Sequence, residues 1–95
     1  MTYLISDLSS RRSSFQITVD VLNAIHNGEA KPTRIMYAAN LSWTTLQSTL
    51  DLLLRKNYIE EAKGTGSSKL YYITSSGLSV LKFCHQIEKL VSIEN

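Results

Sequence analysis

The sequence predicts a mostly α-helical fold with one small β-hairpin, on three observations. Apolar residues recur at helical spacing in four segments, and two short β-prone runs flank a tip rich in Gly and Ser. Between the first and third helical segments, the stretch from Lys31 to Trp43 reads as a short helix, a tight turn and the start of another helix.

Residues 1–13 are rich in Ser and polar groups without a helical period, and they read as an N-terminal arm in which Thr2 to Ile5 could form a short edge strand. Helix 1 is expected from Ser14 to Asn27: Phe15, Val19, Leu22 and Ile25, flanked by Thr18, line one stripe, and Gly28 supplies the stop. Helix 2 is expected from Thr33 to Ala39, capped by Thr33 with Pro32 just before it, and with Ile35, Ala38 and Ala39 as a small apolar face. Asn40 tolerates a left-handed backbone and can end that helix where Gly would otherwise stand. Leu41 is then the inward apolar residue of the turn, and Ser42 caps the next helix.

Helix 3 is expected from Trp43 to about Lys56, with Leu46, Leu50, Leu53 and Leu54 on one face. Thr44, Ser48, Asp51 and Arg55 fall on the opposite face. Trp43 lies nearer the buried side of the helical wheel than Thr44, so it is expected to pack against the helix 2 turn. Residues 58–63 and 69–74 then form a hairpin around Gly64-Thr65-Gly66-Ser67-Ser68, whose flexible tip leaves Lys63 and Lys69 free to reach outward. Helix 4 begins near Ser75 or Ser76 and continues to about Ile93. Its residues Val80, Phe83, Ile87 and Leu90 form a short coiled-coil seam, and Leu81, Cys84 and Val91 form a second, adjacent stripe. One stripe can cover the core; the other needs a partner, with Ile17 and Val21 of helix 1 expected to widen that interface.

The order helix, helix, helix, strand, strand, helix is that of a winged helix-turn-helix with an added C-terminal dimerisation helix. It divides the chain into an arm (1–13), a DNA-binding unit (14–74) and a coiled-coil helix (75–95).

Composition bounds the function. The chain has 95 residues, 43% of them hydrophobic, which is enough for one compact core but not for a deep enzyme cleft on a scaffold. Its net charge is only +2, so any nucleic-acid binding must come from where the charges sit. A single cysteine, Cys84, excludes an intrachain disulfide and a cysteine-based zinc site, and suits a reducing cytoplasm. No secretory leader and no stretch of membrane-spanning length is visible, so no membrane is expected.

Catalysis finds little support. His26 stands near a helix end, where it would meet the last carbonyls, and His85 lies on the coiled-coil helix; neither has a nucleophile nearby in sequence. No paired carboxylates, metal-ligand spacing or cofactor-binding loop stands out, and Gly64-x-Gly66 lies in a hairpin rather than at a helix start. Cys84 reads as a small buried hydrophobe at or near the dimer seam.

Three stretches carry a resemblance to a known family: Arg11-Arg12 leading into helix 1, the segment from Thr33 to Ser42, and Tyr72-Ile73-Thr74-Ser75-Ser76-Gly77 closing the wing. Together they resemble an archaeal family of small winged-helix DNA-binding proteins, over residues 11–92. The resemblance implies a chromatin-associated or regulatory protein that dimerises through an antiparallel coiled coil. This chain is less basic than many such proteins and its C-terminal helix is shorter, which points away from a bulk nucleoid role and a long dimer rod.

DNA binding requires cations and hydrogen-bond donors for phosphates, and short polar groups on the exposed face of helix 3 for bases. Thr44, Thr45, Gln47 and Ser48 suit base edges, Gln47 by pairing bidentately with adenine. Lys31, Arg34 and Arg55 are candidate phosphate clamps, Arg11 and Arg12 would add contacts from the arm, and Lys63 and Lys69 from the wing. Glu60 and Glu61 lie close to the wing lysines and would repel phosphate if they faced the same way. The expected function is therefore double-stranded DNA binding by a homodimer, as a transcriptional regulator or small architectural factor in the cytoplasm, associated with the nucleoid. The alternative is a winged-helix module that docks another protein.

Overall fold

Ser13 starts the first helix. Its Oγ accepts the Gln16 backbone N–H at 3.0 Å, which satisfies one of the donors a helix start leaves open. In the computed structural model, which describes residues 12–92, helix α1 spans Ser14–His26, α2 Pro32–Ala39 and α3 Trp43–Arg55. Strands β1 (Ile59–Lys63) and β2 (Lys69–Ile73) form the hairpin, and α4 covers Ser75–Ser92. The arm, its expected edge strand and Arg11 lie outside the described residues.

One device ends each of the first three helices: a left-handed residue followed by two reverse hydrogen bonds. Gly28 (φ 107°) and Glu29 bond back to Ile25 and Ala24, and Asn40 (φ 56°) and Leu41 to Tyr37 and Met36. Asn57 (φ 64°) and Tyr58 repeat it on Leu54 and Leu53. Each pair satisfies carbonyls the helix end would leave unpaired and turns the chain sharply. The turn between α2 and α3 thus has the predicted construction, with Asn40 left-handed and the Ser42 Oγ accepting the Thr45 N–H at 3.2 Å. The start of α2 differs from expectation. Pro32 occupies the first helical position, Lys31 precedes it without a side-chain cap, and Thr33 lies inside the helix. Proline needs no cap there, because its missing N–H is one of the orphans and its φ is already helical.

The core is built from Val19, Val21, Leu22, Ala24 and Ile25 of α1, Ile35 and Ala39 of α2, and Leu46, Leu50 and Leu53 of α3, closed by Ile59, Tyr71, Leu81 and Cys84. Five expectations are corrected by this packing. Phe15 is 46% exposed while Val21 is fully buried: three other helices and β2 pack on α1, so its buried arc is wider than one stripe, and Val21 is closed off from any interface. Ala38 is exposed and Met36 packs on the core in its place. Trp43 is 48% exposed, so it is not a packed residue of the turn. In α4, Leu81 and Cys84 close the core but Val91 stays 63% exposed, because the helix runs past the end of the packed unit.

The hairpin pairs antiparallel with Ile59 opposite Ile73, Glu61 opposite Tyr71 and Lys63 opposite Lys69. Alternation puts those pairs on one face, Ile59 and Tyr71 buried, with Glu60 and Tyr72 on the other. The outer edge of β2 is tied down where the Tyr71 N–H donates to the Ala30 carbonyl at 2.9 Å. At the junction with α4, the Thr74 hydroxyl accepts the Gly77 N–H at 3.0 Å and donates to the Asn57 carbonyl at 2.8 Å. Gly77 is required sterically, since a Cβ there would lie 1.9 Å from the Tyr58 carbonyl oxygen.

Candidate nucleic-acid interface

Helix α3 presents its outer face because Leu46, Leu50 and Leu53 hold the opposite one in the core. Thr44, Ser48, Asp51 and Arg55, spaced four, three and four, are all exposed along one stripe, with Gln47 half-buried beside them. The front of this face is uncharged and able to hydrogen-bond. Thr45 is half-buried; its Oγ1 accepts from the Ser42 hydroxyl at 3.0 Å. Thr45 and Ser48 line a shallow cleft with Ser14, Ile17 and Thr18 of α1, so this edge of α3 abuts the start of α1. Thr49, one position further round, is buried and satisfied by donating to the Thr45 carbonyl at 2.8 Å.

The predicted cations divide into free and committed groups. Lys31 is exposed at the start of α2. The Arg34 side chain is 68% exposed, with its Nε 3.1 Å from Glu29. Arg55 ends the α3 stripe in solvent. Lys63 and Lys69 face each other at the far end of the hairpin, where Lys69 also lies 3.8 Å from Glu61. That Glu61 carboxylate shares the face of both lysines, while Glu60 points to the other. Burial, and then the charge of Glu61, raise the Tyr71 phenol above its ordinary pKa.

Arg12 is placed very differently from a contact reaching out of an arm. Its guanidinium lies 2.7 Å from Asp20 and donates to the carbonyls of Ala39 and Asn40. Asp20 is in turn held by Gln16 at 2.8 Å. The flat fork of an arginine reaches a carboxylate and two carbonyls together, which a lysine ammonium cannot match. Arg12 therefore fastens the helix-turn-helix corner to α1. A positive charge at the carbonyl end of α2 also interacts favourably with the negative end of its dipole. Sequence reading missed this role because Arg12 and Asn40 are 28 positions apart. It likewise missed the contact of 3.0 Å between His85 Nε2 and Asn23 Oδ1 that links α4 to α1.

On α4, Leu81 and Cys84 face inward, while Phe83 is 62% and Leu90 68% exposed. Val80 packs against the core and Ile87 is half-buried. Burial, and then the nearby Glu88 carboxylate, push the Cys84 thiol up, away from the thiolate form that nucleophilic chemistry uses. Among the described residues, no group of three or more His, Cys, Asp or Glu could hold a metal ion, and no helix is long and apolar enough to cross a membrane.

A family model described as winged helix-turn-helix matches residues 11–92. The chain belongs to the winged helix-turn-helix family. Two uncharacterized proteins of Methanocaldococcus jannaschii are relatives of this winged helix-turn-helix chain. One is 32% identical over 83 residues, covering 87% of this chain and 37% of that protein. The other is 40% identical over 53 residues, covering 56% and 55%. The chain thus spans about a third to a half of the length of these relatives.

Among solved structures, it is similar to Sso10a-2, a DNA-binding protein from Sulfolobus solfataricus, with a TM-score of 0.78 and 22% identity over 85% of this chain and 83% of that one. The transcriptional regulator BldR from the same organism gives 0.81 and 12%, over 99% and 77%. An E. coli MarR variant complexed with operator DNA gives 0.71 and 18%, over 90% and 71%. These likenesses establish the fold.

Proposed function

We propose that this winged helix-turn-helix chain binds double-stranded DNA as a homodimer and acts as a transcriptional regulator or small architectural factor, not as an enzyme. The observation that carries this reading is the outer face of α3. Thr44, Gln47 and Ser48 offer uncharged hydrogen-bonding groups at its front, and Arg55 supplies a cation behind them. That division suits a helix lying in a major groove, whose first turns meet base edges while cations meet phosphates. Exposed Lys31, Arg34, Lys63 and Lys69 are the remaining phosphate contacts of the proposal. The fold it shares with Sso10a-2 and with operator-bound MarR supports the same reading.

Dimerisation is assigned to α4. Its exposed Phe83 and Leu90, in series with half-buried Val80 and Ile87, form an apolar line that the described residues leave open to water. Two copies would place two α3 helices on one duplex and multiply affinity through effective concentration.

Titrating fluorescently labelled duplex DNA with the protein at two salt concentrations tests the function. Binding that weakens steeply with salt is expected, because neutralised phosphates release counterions. Absence of duplex affinity at low salt would refute the reading and favour a protein-docking module.

A further inference from the structure

Trp43 is the single tryptophan of the chain and the first residue of α3, directly after the cap Ser42. Its side chain is 48% exposed, whereas Leu46, three positions on, is fully buried. The first turn of α3 therefore contains a core position, and Trp43 does not occupy it. On the helical wheel Trp43 stands about 40° from Gln47, at the edge of the arc that carries Thr44, Ser48 and Arg55. Across the tight turn, Tyr37 in the last turn of α2 is 78% exposed. Two large aromatic side chains thus flank the helix-turn-helix corner and stay in water.

An indole ring buries a large apolar area when it docks, and its N–H needs an acceptor when it does. The surroundings of Trp43 decide which kind of surface it suits. Ser42 and Thr44 beside it are polar and exposed, whereas an aromatic anchor of a protein interface sits within a ring of contacts that excludes water. A groove edge of DNA offers a different mixture: thymine methyl groups and deoxyribose carbons for the ring, and phosphate oxygens for the N–H.

From this position we infer that Trp43 is a direct DNA contact, its ring laid on the apolar edge of the duplex at the entry of α3. The inference rests on the DNA-binding reading above and adds to it a contact that carries no charge.

Trp43 is its own reporter, since no other tryptophan emits. Duplex DNA is titrated into the full chain while tryptophan emission and the anisotropy of labelled duplex are followed in parallel, and Trp43→Ala and Trp43→Phe are compared. Emission is expected to change along the anisotropy curve. Trp43→Ala is expected to bind about tenfold more weakly with an unchanged salt slope, and Trp43→Phe to recover most of the loss. Unchanged emission on a bound duplex, or a Trp43→Ala affinity equal to wild type, overturns the contact and leaves the DNA-binding reading standing. No anisotropy change with any duplex overturns both.

Discussion

Arg12 and Asp20 meet at 2.7 Å, and the same guanidinium reaches the two backbone carbonyls that end α2. One side chain at the entry of α1 therefore holds the corner from which α3 projects. Orientation of a recognition helix depends on that corner, so the clamp links local electrostatics to the placement of the candidate site.

Removing the clamp should cost stability. Arg12→Ala leaves Asp20 and two carbonyls without their shared donor, with an expected loss of about 1–3 kcal/mol. For a domain of this size each kcal/mol lowers Tm by about 4–8 °C. Arg12→Lys should recover only part of the loss, because an ammonium cannot span all three acceptors. Thermal unfolding followed by circular dichroism measures both, and a wild-type Tm for Arg12→Ala would remove the clamp from the account.

Gly77→Ala should be among the most damaging single changes. The added methyl would stand 1.9 Å from the Tyr58 carbonyl oxygen, which is backbone and cannot swing aside. A loss above about 2 kcal/mol is expected in chemical denaturation. Ser76→Ala, one residue away, removes two exposed contacts, of 3.1 Å to the Asn57 carbonyl and 3.2 Å with the Thr74 hydroxyl, and serves as the mild comparison, expected below about 1.5 kcal/mol.

Arg34 and Glu29 give a paired prediction on DNA. Arg34→Ala should weaken binding equally on all duplex sequences and lower the salt slope by about one unit. Glu29→Gln should act in the opposite direction, because it releases the guanidinium from an exposed ion pair of 3.1 Å and removes a negative charge beside it. Equal affinities and slopes for wild type and both variants would place this pair outside the interface.

Assembly is tested on the α4 face. Phe83 and Leu90 are exposed, so Phe83→Asp and Leu90→Asp should leave the fold intact while dissolving a dimer. Sedimentation equilibrium should return twice the chain mass for wild type at micromolar concentration and the single mass for the variants. A monomeric wild type would refute the assembly.

Much of the fold was legible because it is set by local chemistry. Asn40 and Ser42 mark the turn by residue type alone, and the Leu46, Leu50, Leu53 spacing fixes which face of α3 is outward. Asn57 uses the same left-handed stop as Asn40 but was passed over, since Lys56 and Tyr58 around it carry no turn signal. What the sequence hid is long-range. Arg12 looked like a free cation until Asn40 was placed beside it, and Val21 looked available to a partner until the elements packed on α1 left it fully buried. Trp43 was expected inside by its position on the wheel, but Leu46, three positions on, is the fully buried residue of that turn.

The central claim, that the outer face of α3 is the DNA-binding surface, is tested most directly by the amide spectrum of isotope-labelled protein during a duplex titration. Perturbed resonances are expected to cluster on residues 43–48, with further shifts at Lys31, Arg34 and the wing lysines. Perturbations confined to α4, or none while the duplex is demonstrably bound, would contradict it.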